Sequence, residues 1–429
     1  MNEIKYDLYN EKLHIINLPN GLNVNLIVRP KFHQTFGILT TRYGSINNSF
    51  KASDSNEIKK YPNGIAHFLE HKLFEKEDHD AFDEFALYGA DSNAFTSFTR
   101  TSYLFSTSSN VGKCVSTLLN FVQHPYFSEQ TVEKEKGIIA QEIKMYEDDP
   151  NWQLLFGIIK NLYPNTPLTA DIAGSVTSIQ EITPQMLYEC YDHFYQPNNM
   201  SLMLVGNFNL SKIKQIIIEN QNNINEIKTS SAKNSLSSEQ LNADVISYDE
   251  KRMHIQRPKL GIAVRGDCKL SIEQRLKYKV ALQILLELLF GESSLDYQRL
   301  YDKGIIDNSF EYEIQLEEEF HFIYLTLNTN KVELASKEIK NILLNASKKL
   351  SQQKDIFEIM KKEFIGRYIK GMNSNENIAD QFDKWLFGNK TLFDAPKMIE
   401  KLKLSDLLDL SKQLFKENNT TEFRIYPKE

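Results

Sequence analysis

The chain has 429 residues, 41% hydrophobic and 25% charged, with a formal net charge of −7. That composition is that of a soluble globular protein of about two to three domains, and a mild acidic surplus with no polybasic run argues against a nucleic-acid binder. The longest apolar segment, residues 280–290, is interrupted by Gln283 and Glu287, far from the ~20 apolar residues of a membrane span, so it reads as a buried helix and no membrane span is expected.

The opening residues 1–7 have no basic segment followed by an apolar run, so no secretory signal is expected. Cys114, Cys190 and Cys268 are far apart and lack C-x-x-C spacing. They read as reduced core thiols of a cytoplasmic protein.

In chain order, residues 13–18 and 24–28 read as a hairpin across Pro19, Asn20 and Gly21. Residues 36–45 form a third strand, and a polar loop runs over 46–61. Next comes a helix containing His67, then a short helix over 81–88 closed by Gly89. Residues 93–98 and 101–107 alternate and are rich in β-branched and aromatic side chains, as strands require. Helices are predicted over 111–123, 129–147 (Ser128 as N-cap), 154–162 and 184–194, the last with Thr183 as N-cap and Pro184 at the first helical position. Residues 201–205 close the first unit as a strand.

Composition shifts to Asn, Ser, Lys and Glu after residue 220, which marks a linker. The expected division is a first domain over 1–222, a linker over 223–245 and a second domain over 246–429. The second half repeats the plan of the first. Strands are expected at 259–265, 311–316, 322–327 and 423–426, with helices at 272–290, 333–347, 351–370 and 405–414. The expected fold class is therefore α+β, two duplicated domains of antiparallel or mixed sheet packed with helices.

The chemistry concentrates at His67-Phe68-Leu69-Glu70-His71. On a helix, positions i, i+3 and i+4 share a face, so His67, Glu70 and His71 project together. Two imidazoles and a carboxylate on one turn suit a zinc site with a general base beside it, in the inverzincin order H-x-x-E-H. A catalytic zinc site needs a third protein ligand. The helix over 129–147 offers Glu135 and Glu142, seven apart on one face, with Glu147 as a rival. One glutamate of the pair would bind the metal while the other orients a histidine.

The run H-x-x-E-H, about 70 residues, then E-x-x-x-x-x-x-E resembles the pitrilysin/insulinase family of zinc metallopeptidases. In length and two-domain plan it is similar to the mitochondrial-processing-peptidase type and the bacterial YmfH-type members. The likeness extends to Gly89 with Asn93, Ala94 and Thr96, which resemble the family's Gly-x-x-x-Asn-Ala-x-Thr strand. It continues through Pro167-Leu168, Ile172-Ala173-Gly174 and Phe194-Tyr195-Gln196-Pro197-Asn198-Asn199-Met200.

The resemblance implies a half-clamshell chain that binds Zn2+ through His67, His71 and Glu142, with Glu135 supporting a ligand. Glu70 would be the general base in peptide hydrolysis. Asn93, Ala94, Phe95 and Thr96 would present a strand edge to an extended peptide substrate.

One departure stands out. Active members carry an Arg and, seven residues later, a Tyr in the second domain. With Gly304 in register, those positions hold Leu300 and Asp307, and shifting by one offers Arg299 with no Tyr to follow. The resemblance then implies a homologous, metal-free subunit that supplies the pair in a heterodimer, whereas a homodimer would be weak or inactive. Two rivals are a zinc-binding but catalytically weak peptide-binding scaffold or chaperone for a peptide-modification system, and a structural core subunit of a larger complex.

Overall fold

The computed structural model describes residues 2–51, 57–222, 241, 243–266 and 269–428. The expected linker over 223–245 lies almost wholly outside them, as does Cys268. The chain forms two compact units. The first is Met1–Lys144, Ala170–Ser235 and Met372–Phe382, and the second is Met145–Thr169, Leu236–Gly371 and Asp383–Glu429.

The first unit is built on a seven-stranded sheet. Its strands are β1 (Asn2–Tyr6), β2 (Glu11–Asn17), β3 (Asn23–Val28), β4 (Thr35–Thr41), β7 (Ala90–Thr96), β8 (Thr101–Thr107) and β9 (Met200–Gly206). The order is β1-β2-β3-β9-β4-β8-β7. Two short strands, β5 (Ser49–Lys51) and β6 (Ile58–Lys60), pair with each other inside the stretch expected to be loop. Strand β9 is buried along its whole length, as a strand covered on both faces must be, which explains a run that is apolar but for Ser201.

The helices of this half are α1 (Ile65–Phe74), α2 (Ala81–Leu87), α3 (Val111–Gln123), α4 (Glu129–Asp148), α5 (Pro150–Leu162), α6 (Val176–Gln180), α7 (Pro184–Phe194) and α8 (Leu210–Asn222). Capping follows the sequence signals. Thr183 Oγ1 accepts from the Met186 amide, and Ser128 Oγ accepts from the Thr131 amide. Helix α5 starts four residues before the expected 154 because Asp149 caps it and Pro150 takes its first turn.

The second unit has a five-stranded sheet of β10 (Tyr248–Met253), β11 (Lys259–Arg265), β12 (Glu311–Leu316), β13 (His321–Asn328) and β14 (Thr420–Pro427). Its order is β10-β14-β11-β13-β12. Without β1 and β2, the first sheet reads β3-β9-β4-β8-β7, which matches it strand for strand. Each has one parallel pair, β3 with β9 and β10 with β14. The duplicated α+β plan is thus explicit in the topology. Strands β1 and β10 escaped the sequence reading because they are short and largely exposed. Their extended form comes from pairing with β2 and β14.

The units are not contiguous halves of the chain. Helix α5 belongs to the second unit, where it packs on β14 and β11. Gly157 and Gly261 permit that approach: a Cβ at 157 would sit 2.5 Å from the Phe423 ring. The short helix Asn375–Asp380 belongs to the first unit and packs on β4 and β9. In each repeat, then, the helix after the long one (α4, or Lys354–Gly371) covers the other sheet. A boundary near 222–245 misses this exchange because burial of a sheet face is a long-range requirement that composition does not record.

Candidate metal centre

Helix α1 enters through Gly64, whose φ of +89° is accessible mainly to glycine. A Cβ there would lie 2.3 Å from the Ala173 carbonyl oxygen, and one on Gly174 would lie 2.4 Å from that of Asn63. The 173–174 dipeptide thus lies directly against the start of α1. Ser178 Oγ donates to the Asn63 carbonyl at 2.8 Å and fastens the same junction. All α1 residues but His71 are buried, and Phe68, Leu69 and Leu73 have no exposed surface. The helix is anchored by its apolar side while His67, Glu70 and His71 face α4.

Helix α4 supplies the carboxylates. His67 Nε2 lies 3.5 Å from Glu142 Oε1, and His71 Nε2 lies 3.6 Å from Glu142 Oε2. One ligand atom from each of the three residues falls within 4.8 Å of the others. Atoms ~2.1 Å from a tetrahedral zinc lie about 3.4 Å apart, so Glu142 sits at nearly that spacing from both imidazoles. The donor set of two nitrogens and a carboxylate fits zinc.

Glu135, two turns earlier on α4, places Oε1 3.0 Å from His71 Nδ1. A proton on Nδ1 is held there, which leaves the Nε2 lone pair directed at the centre. His67 differs: its Nδ1 is buried and meets no hydrogen-bond partner among the described residues. Glu147, the rival on the same helix, is exposed.

Glu70 is 7% exposed. Burial pushes its carboxyl up from the ordinary range, against the lowering effect of His67 and of a hydrogen bond from Thr96. Burial works against the charged form of His71, but its bond to Glu135 and the nearby carboxylates outweigh this and raise its pKa.

The expected substrate strand is β7, an edge strand of the sheet. Asn93 is exposed, and its Oδ1 accepts from the Ala94 amide at 2.8 Å. Ala94 and Phe95 are half-buried. Thr96 turns its hydroxyl to Glu70 Oε2 at 2.5 Å. Alternation along a strand puts Ala94 and Thr96 on one face and Asn93 and Phe95 on the other. That signal, present in the sequence, separates Thr96 from a row of substrate contacts.

In the second unit Leu300 is fully buried. Arg299 pairs with Asp296 and Glu338. Asp307 pairs with Arg257 and accepts from Ser309. The 299–307 stretch therefore carries no Arg/Tyr pair, and its single arginine is bound to two carboxylates. Residues 295–302 form a short helix capped by Ser294.

Comparison with known proteins gives the family. The family model described as insulinase (peptidase family M16) matches residues 55–175, and the peptidase M16 inactive domain matches residues 181–363. The Bacillus subtilis zinc protease YmfH is 41% identical over 429 residues, 99% of each chain. The crystal structure of an M16-like peptidase from Alicyclobacillus acidocaldarius superposes with a TM-score of 0.89 at 31% identity, over 97% of this chain and 99% of that one. A Helicobacter pylori protease shares the fold with a TM-score of 0.81 at 21% identity, over 97% of this chain and 100% of that one. With its ligand cluster, duplicated sheets and full-length likeness to such proteins, this chain belongs to the insulinase-type M16 peptidase family.

Proposed function

We propose that this protein is a zinc-dependent endopeptidase subunit that hydrolyses short, unfolded peptides. His67, His71 and Glu142 would hold the ion and Glu135 would orient His71. When bound, zinc supplies Lewis-acid polarisation of a carbonyl and a water acidic enough to lose a proton near neutral pH. Glu70 takes that proton and returns it to the leaving amine. Its burial suits both steps, because a carboxylate of raised pKa is a better proton acceptor and a usable donor. The outer edge of β7 would bind the peptide as an added strand, with Asn93 at the exposed face.

The observation that carries this reading is the placement of Glu70, buried and hydrogen-bonded, on the same turn as two histidines that meet Glu142. The lack of an Arg/Tyr pair around Leu300 and Asp307 supports the further proposal that a homologous, metal-free subunit completes the active enzyme. A reducing, cytoplasmic setting belongs to the same proposal, and Cys114 and Cys190 are buried free thiols.

The test is metal analysis combined with a quenched-peptide assay of wild type and Glu70→Gln, each alone and with the homologous subunit. Equal zinc content with a loss of about 10²–10⁴-fold in kcat for the variant supports the peptidase. The missing pair also favours a second reading, a zinc-binding peptide scaffold or chaperone. If zinc is present but both forms are equally silent with the partner added, the scaffold reading replaces the first.

A further inference from the structure

Glu70 is held by the half-buried hydroxyl of Thr96, which stands on a buried one. Thr96 Oγ1 donates to Glu70 Oε2 at 2.5 Å and lies 3.2 Å from Thr101 Oγ1. Thr101 is fully buried and donates to the Tyr43 carbonyl at 2.8 Å.

Thr96 and Thr101 are cross-strand partners that close the β7–β8 ladder. Both are β-branched, so their χ1 angles are stiff. The hydroxyl that reaches Glu70 is therefore fixed by the sheet, not by α1. A hydroxyl has one proton. While Glu70 is ionised, the proton of Thr96 is committed to Oε2, which makes that oxygen the less basic of the two. The other oxygen is left for the reacting water.

We propose that Thr96 is a positioning residue for Glu70: its hydroxyl, held in place by the β7–β8 pairing, clamps one carboxylate oxygen so that the other faces the attacking water. This rests on the peptidase reading above. It also gives β7 two tasks. The outer edge would receive the peptide, and the inward hydroxyl at its end aims the base. Peptide seating and base alignment are then properties of one strand. Positioning groups of this kind are typically worth 10–100-fold in activity.

The test compares zinc-loaded wild type, Thr96→Val and Thr96→Ser in the presence of the homologous subunit, with zinc content measured for each. Thr96→Val should lower kcat by about 10–100-fold with KM unchanged, and Thr96→Ser should restore most of it. Unchanged kcat in the valine variant overturns the proposal. So does a loss confined to KM, which would make Thr96 a substrate contact, or a serine variant no better than valine.

A second arm needs no activity. In the metal-free protein, the melting-temperature effects of Thr96→Val and Glu70→Ala should be non-additive in a double-mutant cycle; additivity overturns the contact itself. If the cycle shows coupling but wild type cleaves nothing, the peptidase reading has failed and the positioning role falls with it. If wild type is active and Thr96→Val equals it, only the Thr96 proposal fails.

Discussion

His71 Nδ1 lies 3.0 Å from Glu135 Oε1, and the same ring presents Nε2 to Glu142 at 3.6 Å. One imidazole thus links two carboxylates that sit two turns apart on α4. Glu135 selects the tautomer that a metal ligand requires. Glu135→Ala should therefore weaken zinc binding by about 10–100-fold without unfolding the protein. Competition against a chromophoric chelator, with circular dichroism as the folding control, measures this; unchanged affinity would remove Glu135 from the site.

The entry of α1 offers a test of how the site is held. Gly64 has a φ of +89°, and a Cβ on it would lie 2.3 Å from the Ala173 oxygen. Gly64→Ala should cost at least about 1–2 kcal/mol, from the left-handed backbone alone, with more from the clash. Urea unfolding of the metal-free protein gives the number. Ser178→Ala, which removes the hydroxyl bond to Asn63 and the acceptor for the Ser175 amide at the start of α6, should cost about 1–2 kcal/mol.

The exchanged helix makes another prediction. Asn375 is 5% exposed; its Oδ1 accepts from Arg29 Nη1 at 2.7 Å and its Nδ2 donates to the Gln34 carbonyl at 2.6 Å. Arg29 keeps Glu11 as a partner, so the loss on Asn375→Ala should be moderate, about 1–3 kcal/mol. A fragment ending at residue 222 lacks Asn375, Ile378 and Ala379 altogether and leaves β4 and β9 uncovered. It should show a broad, non-cooperative thermal transition by calorimetry, whereas the full chain melts sharply.

Lys76 gives a pH dependence. Burial lowers its pKa from 10.5 to about 8, only partly offset by Asp80 and Glu84. Its Nζ donates to the carbonyls of Phe121 and His124, both at 2.7 Å. Between about pH 8 and 10.5 the folded state holds fewer protons here than the unfolded state. The contribution of Lys76 to stability therefore rises with pH across that window and is least favourable below it. The melting temperature of wild type relative to Lys76→Met should increase from pH 7.5 to 10. A difference independent of pH would contradict the lowered pKa.

Much of the architecture was legible from periodicity. Helix α3 and the long helix Ile272–Phe290 run over the residues their patterns predict, as do strands β11 and β12. The failures share a cause. Strands β1 and β10, and the β5–β6 pair inside a predicted loop, are short and polar, and pairing with a neighbouring strand, not a period of their own, makes them strands. The short helices Leu295–Asp302 and Asn375–Asp380 carry too few apolar residues for a period to emerge.

The candidate centre divides in the same way. That His67, Glu70 and His71 meet on one face was settled by sequence, because helical rise and twist are properties of a single element and need no partner. The choice between Glu142 and Glu147 was not, since both lie on one helix and only the approach of α1 to α4 decides which faces the histidines. Nor was the role of Thr96. Its alternation in β7 was readable, but that it reaches Glu70 depends on how the sheet edge packs against α1. Local geometry wrote the H-x-x-E-H face into the chain. Packing between elements far apart in sequence brought Glu142 to both histidines, Glu135 to His71 and Thr96 to Glu70.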